Sequence, residues 1–169
     1  MSWRTDLGGV DEVMDIAAVD SFYRKHASDL MRLAVVLVGP DDAEDVFSEA
    51  VLKVIQSKRW PSLTEEEQPR YAYRAVVNYA RSWGRSAGRR VKREDLYARR
   101  SRTSVEHGVP SDVLAAIAGL SIRQRAVVFL TYWNDFDTAM VASTLGISEG
   151  SVYQHLNRAR TSLRRSVHV

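Results

Sequence analysis

The stretch DFDTAMVASTLGISEGSVYQHLNRARTSLRR, residues 135–165, decides the fold of the second half of the chain. Its apolar spacing predicts a short helix over Thr138–Leu145 and a longer one over residues 149–165. Between them, Gly146 suits a left-handed turn position, and Ser148 is placed to cap the second helix. Two helices joined by so short a turn form a helix-turn-helix.

The second helix of this pair has two chemically different sides. Four apolar residues lie within one narrow arc at helical spacing: Val152, Leu156, Ala159 and Leu163. The opposite side is polar and comprises Gln154, Asn157, Arg158, Thr161 and Arg165. This side is expected to enter the major groove of DNA, where Gln and Asn can bond adenine and Arg can bond guanine or phosphate. Tyr153, near the helix start, is placed to contact a methyl group or a phosphate. An ordinary helical hairpin with a solvated polar side is the alternative, but the Gly146-Ile147-Ser148 turn favours DNA binding.

Apolar residues recur at three- and four-residue steps along most of the chain, which predicts an all-α protein. A first helix should end at Gly39-Pro40, because Pro40 has no backbone donor and restricts its predecessor. Its predicted buried stripe is Tyr23, Ala27, Leu30, Ala34 and Leu37. Further helices are predicted from Asp41 or Asp42 to about Ser57, and over residues 71–85, 112–119 and 122–133. The proline-containing segment 59–70 predicts a loop with a short turn at residues 64–68.

The helix predicted over residues 71–85 also has two sides. The inward side comprises Ala72, Val76, Tyr79, Ala80 and Trp83. The opposite side comprises Arg70, Arg74, Asn78, Arg81 and Arg85. Such a row of cations suits a phosphate backbone, and Asn78 offers a donor and an acceptor to a base edge. Tyr71 and Tyr73 near the helix start could stack on unpaired bases or belong to the core, and the sequence leaves both open.

The helix AEDVFSEAVLKVIQS, residues 43–57, indicates a different partner. Its predicted buried side comprises Val46, Phe47, Ala50, Val51 and Val54. Its predicted exposed side comprises Asp45, Ser48, Glu49, Leu52, Lys53 and Gln56. Acidic groups around one exposed leucine suit an arginine-rich protein surface, although single exposed leucines are common and need no partner.

The two halves of the chain also differ in net charge. Residues 1–80 hold 9 Lys and Arg against 14 Asp and Glu, a net −5, whereas residues 81–169 hold 15 against 7, a net +8, consistent with the overall +3. This asymmetry indicates an acidic surface for one partner and a basic surface for nucleic acid, or simply uneven solvated charge. The chain has no cysteine, which fits a reducing cytoplasm, and its apolar runs are too short for a membrane span or signal peptide.

The pattern predicts two small helical domains. An N-terminal extension covers residues 1–17, a first domain residues 18–88, and a second domain residues 111–169. Residues 89–110 form a polar, basic and flexible linker in this prediction, because apolar periodicity fails there.

The order and content of these elements resemble sigma factors of the extracytoplasmic-function (ECF) type over roughly residues 20–167. DAEDVFSEAVLKV is similar to the polymerase-binding helix of sigma region 2, and YAYRAVVNYARS to its promoter-melting and minus-10 helix. The segment from Leu120 to Arg165 resembles sigma region 4. The family often has a Lys/Arg-Ser pair where this chain has Tyr153-Gln154.

The resemblance implies three groups of site residues. The polymerase-binding residues are Asp45, Ser48, Glu49 and Leu52, which should meet the clamp helices of the largest subunit. The minus-10 residues are Arg70, Tyr73, Arg74, Asn78, Arg81 and Arg85, with Asn78 near the pocket for a flipped-out base. The minus-35 residues are Ser151, Tyr153, Gln154, Asn157, Arg158 and Arg165. The implied partners are core RNA polymerase through its clamp helices and flap, promoter DNA and an anti-sigma protein, without membrane insertion.

Other classes of protein fit the sequence less well. A stand-alone helix-turn-helix regulator would bind a palindromic site tightly without polymerase, and a protein-binding adaptor would need an acidic partner over its basic faces. An enzyme is not expected, because His26, His107, His155 and His168 are scattered and no HExxH, P-loop or Cys/His cluster occurs. No catalytic residue, metal site or cofactor is predicted, and the expected location is the cytoplasm, with association with the nucleoid in the holoenzyme.

Overall fold

The computed structural model describes residues 15–90 and 108–167, apart from the side chains of residues 86–90, 166 and 167. Within these ranges the chain forms α-helices and one short 3₁₀ turn at Trp60–Ser62. The helices are α1 (Ile16–Val38), α2 (Pro40–Ile55), α3 (Glu67–Arg90), α4 (Ser111–Ile117), α5 (Ile122–Tyr132), α6 (Thr138–Leu145) and α7 (Glu149–Val167). The predicted all-α class is confirmed.

The first half is a bundle of α1, α2 and α3. The Asp15 carboxylate caps α1 by accepting hydrogen bonds from the amides of Ala17 and Ala18, at 3.1 and 3.2 Å. Gly39 ends the helix with a φ of 86°, which a glycine adopts without strain, and Pro40 begins α2 at its first position. The three helices enclose a core that includes Leu33, Val46 and Val76, each with no exposed surface.

The helix α3 is longer than the sequence predicted. Thr64 and Glu67 form reciprocal hydrogen bonds: the Thr64 amide donates to the Glu67 carboxylate at 2.9 Å, and the Glu67 amide donates to Oγ1 of Thr64 at 3.3 Å. This capping box starts the helix four residues early, and Pro69 is tolerated because the first-turn amides have no helical acceptor. The helix then continues to Arg90, five residues beyond the predicted end.

The second half contains α4 to α7. A second capping box begins α5: Oγ of Ser121 accepts from the Gln124 amide, and the Gln124 side chain accepts from the Ser121 amide. Asp137 caps α6 by accepting from the amide of Met140 at 2.7 Å. The chain turns into α7 through Gly146, with φ 64° and ψ 43°, so the predicted left-handed position is confirmed.

The two halves pack against each other around one continuous core, with α1 against α5 and α3 against α5 and α6. The Asn134 side-chain amide donates to the Tyr73 hydroxyl at 2.9 Å, and the Tyr73 and Phe136 rings meet edge to face at 6.1 Å. Between Asn134 and Phe136, Asp135 adopts a φ of 52°, an uncommon value for a residue other than glycine. The sequence did not predict this packing of one half on the other.

Several sequence predictions change against this architecture. Tyr23, predicted in the buried stripe of α1, is 48% exposed, whereas Leu30, Ala34 and Leu37 are buried as predicted. The predicted linker overlaps the end of α3 at residues 89 and 90, and its residues 91–107 lie outside the described residues, as do residues 1–14 of the predicted extension. No helix in the described ranges is both long enough and apolar enough to cross a membrane.

Arg125 of α5 holds the halves together through backbone carbonyls. Its guanidinium donates to the carbonyls of Leu120 at 3.0 Å, Ala118 at 2.7 Å and, across the interface, Leu37 at 2.9 Å. Burial lowers the pKa of Arg125 from its ordinary value.

Substituting Arg125 by Ala is expected to destabilise the protein by about 2 kcal/mol, since hydrogen bonds from a charged donor are worth more than neutral ones and three carbonyls, two of them in partly buried bonds, lose their donor. Urea unfolding of both proteins measures the change. Arg24→Ala is the control, because the Arg24 side chain is 79% exposed in a surface ion pair with Asp20 and should change stability by less than about 0.5 kcal/mol. An equal effect of both substitutions would contradict the role of Arg125.

Candidate nucleic-acid and polymerase interfaces

The helix-turn-helix of α6 and α7 presents a polar helix side to solvent. Ser148 caps α7 by accepting from the amide of Ser151 at 3.1 Å, as predicted, and the two hydroxyls lie 2.9 Å apart. Val152, Leu156 and Ala159 fix the helix in the core. The outward side chains are all exposed: Tyr153, Gln154, Asn157, Arg158, Thr161 and Arg165.

Ser151 differs from the other predicted minus-35 residues. It is half-buried, and its hydroxyl lies within hydrogen-bond distance of the capping Ser148, so it contributes to the start of α7. Tyr153 is instead 61% exposed. These positions leave Tyr153, Gln154, Asn157 and Arg158 as the accessible set near the helix start.

Arg160 supports the same helix from its flank. Its guanidinium donates two hydrogen bonds to the Tyr132 hydroxyl, at 2.6 and 3.2 Å from Nη2 and Nε. This contact links α7 to the end of α5 and helps to fix the orientation of α7. Sequence reasoning missed it because the two residues are 28 positions apart.

The basic side of α3 is divided between solvent and the second half. Arg74, Asn78 and Arg85 are exposed, whereas Arg70 and Arg81 are half-buried. Nε of Arg70 donates to the carbonyl of Glu66 at 3.3 Å, within the first turn. The row of cations predicted from the sequence therefore exists, but one end of it lies beside α6.

Tyr73 needs a correction. It is only 3% exposed, packs on Phe136 and accepts a hydrogen bond from Asn134, so in this arrangement it belongs to the core and is not available to a DNA base. Burial, with a smaller effect of Asp29, raises the pKa of Tyr73 to about 12, although the Asn134 hydrogen bond opposes the rise. The ring is therefore a neutral packing group between the halves.

Arg74 lies directly against the turn of the helix-turn-helix. A Cβ atom built on Gly146 would lie 2.6 Å from Nη2 of Arg74, so a side chain there would displace this flexible guanidinium, and the φ of 64° independently favours glycine. A cleft of about 200 Å³ adjoins this contact, and it is lined from both halves by residues that include Arg70, Arg74, Ser143 and Thr144. Part of the predicted minus-10 surface thus faces the second half of the same chain.

Within the described residues, the acidic side of α2 makes no such contact with the second half of the chain. Asp45, Ser48, Glu49 and Leu52 are all exposed, Leu52 at 47%. At the edge of this surface, Nζ of Lys53 lies 4.6 Å from the ring centre of Tyr79. Burial, followed by the charges of Glu49 and Asp45, raises the pKa of Tyr79. The surface combines a negative field with one exposed leucine.

A cluster of basic side chains that was not predicted from the sequence lies between the two halves. Arg81 and Arg85 of α3 meet Arg123 of α5 and His155 of α7 around one cleft. This cluster could not be predicted from the sequence, because its members are up to 74 positions apart and His155 was counted among scattered histidines. In the described ranges, no group of three His, Asp or Glu side chains could hold a metal ion.

Comparison with known proteins agrees with this geometry. The model of the family "Sigma-70, region 4" matches residues 111–163, the segment that forms α4 to α7. The ECF RNA polymerase sigma factor SigM of Mycobacterium tuberculosis is 30% identical over 158 residues, which cover 89% of this chain and 78% of SigM. SigL of the same organism is 29% identical over 169 residues, covering 89% of each chain.

The fold has a counterpart among solved structures. The sigma factor RpoE of Bartonella quintana, solved in complex with the anti-sigma factor NepR, superposes with a TM-score of 0.67 at 22% identity, over 89% of this chain and 98% of RpoE. This likeness shows that the chain has the fold of a sigma factor. The chain belongs to the ECF family of RNA polymerase sigma factors.

Proposed function

We propose that this sigma factor binds core RNA polymerase through α2 and directs it to promoters whose minus-10 and minus-35 elements are recognised by α3 and α7. The observation that carries the proposal is the presence of two polar helix sides with exposed residues. The side on α3 is basic, and the side on α7 combines uncharged and basic residues. DNA is the partner that requires both, since phosphates need cations and base edges need amide groups.

The polymerase-binding residues proposed are Asp45, Ser48, Glu49 and Leu52. Their exposure supports this assignment, as do the charges of Glu49 and Asp45, which add to burial in raising the Tyr79 pKa. A protein surface with arginines around an apolar pocket fits such a patch, because a buried aliphatic anchor ringed by charges is a common source of binding energy.

The DNA-binding residues proposed are those on the accessible sides of α3 and α7. On α3 they are Arg70, Arg74, Asn78, Arg81 and Arg85, with Asn78 facing an unpaired base during melting. On α7 they are Tyr153, Gln154, Asn157, Arg158 and Arg165. Tyr73 is buried against Asn134 and Phe136 of the second half, so it joins this set only once the halves separate.

The packing of the halves adds a step to this function. Arg74 lies against Gly146, and Arg81 lies in the cleft between the halves, so duplex DNA cannot follow α3 while α5 and α6 cover it. We therefore include a separation of the two halves, coupled to polymerase binding, in the proposed cycle. An anti-sigma protein is also proposed as a partner, by analogy with the NepR complex of the Bartonella protein.

Copurification with core polymerase followed by run-off transcription from a genomic library tests the whole proposal. The expected result is a set of transcripts that begin downstream of one shared pair of sequence elements. Tight binding of a palindromic site by the free protein, with no polymerase association, would instead identify a stand-alone regulator and overturn the proposal.

Sequence choice at the minus-35 element is expected to depend on Gln154 and Asn157. Both are exposed on one side of α7, three residues apart, and each can bond adenine through two hydrogen bonds. Replacing either by Ala should cost about 1 to 3 kcal/mol at one base position and relax the preference there. Selection of randomised minus-35 sequences with holoenzyme measures the change.

Arg158→Ala is the matched comparison for these two variants. A residue that contacts phosphate should weaken binding to all sequences alike, without changing the selected bases. Unchanged base preferences in both Gln154→Ala and Asn157→Ala would show that these residues do not recognise the element.

A further inference from the structure

Four basic side chains from three helices converge on the cleft between the halves. Arg81 and Arg85 come from α3, Arg123 from the first turn of α5, and His155 from α7. The cleft has a volume of about 610 Å³ and is open to solvent along one side. No carboxylate of the described residues lines it, so within that part of the chain these cations have no counter-charge in the cleft.

The electrostatics of the cleft show the cost of this arrangement. Burial and the neighbouring Arg81 lower the pKa of Arg123, and burial followed by the charges of Arg123 and Arg158 lowers that of His155. Nδ1 of His155 is also buried without a hydrogen-bond partner among the described residues. One bound anion would offset the repulsion among these cations.

We propose that this cleft binds a small anion with several phosphate groups, held between Arg81 and Arg85 on one half and Arg123 and His155 on the other. Arginine is suited to this ligand because its planar guanidinium bonds two phosphate oxygens at once. The first-turn amides of Ile122 and Arg123, which the Ser121-Gln124 capping box does not use, add to the positive field.

The size of the cleft selects among phosphate ligands. Sites for small molecules commonly measure about 300 to 1,000 Å³, and this volume lies within that range. A compact oligophosphate fits the space and can reach both halves together.

Such a ligand would also affect the packing of the halves. Because it contacts both, it stabilises the packed arrangement relative to the separated one, in proportion to its differential affinity. It would also occupy Arg81, which the proposed function assigns to promoter DNA. This consequence rests on the proposed function, whereas the site itself does not.

Inorganic tripolyphosphate is the probe for a calorimetric titration of the full chain, at an ionic strength near 0.15 M so that diffuse surface binding is screened. We expect one site per chain, and about tenfold weaker binding in Arg123→Gln and in His155→Gln, since each loses a charge-assisted hydrogen bond. Arg164→Gln is the matched control, an exposed cation of α7 that does not line the cleft, and it should bind within about twofold of the unsubstituted chain.

A second measurement follows the ionisation of His155 by NMR. Burial, followed by the charges of Arg123 and Arg158, lowers the His155 pKa; bound tripolyphosphate should raise it by offsetting those charges, while His26 on α1 should not respond. The His26 signal also reports whether each variant is folded. Several weak sites, equal losses in Arg123→Gln and Arg164→Gln, or an unmoved His155 pKa would overturn the proposal. Binding of a single-stranded oligonucleotide through the same residues without binding of tripolyphosphate would do so too, and would identify the cleft as a path for DNA.

Discussion

Reversing the charge of Glu49 is expected to abolish most of the affinity for core RNA polymerase. Replacing Leu52 by a charged residue, which the complex would bury, is expected to do the same. Glu49→Arg or Leu52→Asp should each weaken binding about a hundredfold, or about 2.7 kcal/mol, which is the range of a central interface residue. Both side chains are exposed on α2, so neither substitution disturbs the core. Fluorescence anisotropy of labelled protein with core polymerase measures the affinity, and circular dichroism checks the helix content.

Two control variants match these changes in chemistry but not in place. Glu66→Arg reverses an exposed acidic charge before α3, and Val113→Asp puts a carboxylate on a partly exposed position of α4. Both should bind polymerase within about twofold of the unsubstituted chain. If Glu49→Arg and Leu52→Asp bound as tightly as the controls, the acidic side of α2 would not be the polymerase surface.

Promoter opening is expected to fail when the cations of α3 are removed. Arg74→Ala and Arg81→Ala should each slow opening about tenfold, and the double variant about a hundredfold, while closed complexes form at a similar level. The physical reason is that both guanidinium groups lie on the side of α3 that would follow the unwound strand. Permanganate reactivity of unpaired thymines measures opening directly. Loss of a phosphate contact should also reduce the dependence of binding on salt.

Lys58→Ala is the control for this experiment, because Lys58 is an exposed cation of the first half outside α3. It should leave the permanganate pattern unchanged. A wild-type pattern in the Arg74→Ala, Arg81→Ala double variant would remove α3 from the melting step. The measurement uses holoenzyme, so it does not depend on how the free chain is packed.

The sequence predicted the helices well wherever local chemistry determines them. The bounds of α6 are those predicted, and Gly146 and Ser148 have the roles expected, because a left-handed turn and a helix cap are set by neighbouring residues. The buried side of α2 was also predicted correctly, since one apolar side of a short amphipathic helix can face only one core. The start of α3 was missed, although Thr64 and Glu67 carry the spacing of a capping box.

The sequence could not predict what packs on a second side of a helix. Tyr73, which the sequence left open between the core and DNA, is buried because it packs against Asn134 and Phe136 of the second half. Apolar spacing shows that a residue prefers burial, but it does not identify the distant element that buries it. For the same reason, the cleft of Arg81, Arg85, Arg123 and His155 exists only once the two halves meet. The roles of the polymerase and DNA surfaces remain predictions, since exposure alone does not name a partner.

The backbone conformation of Asp135 affects the free energy of the contact between the halves. A left-handed conformation in a residue other than glycine stores free energy, of the order of 1 kcal/mol or more, and it lies between the two residues that hold Tyr73. A difference of that size changes an equilibrium ratio about fivefold. A substitution at Asp135 is therefore expected to change the stability of the contact between the halves without altering any side chain proposed to touch polymerase or promoter.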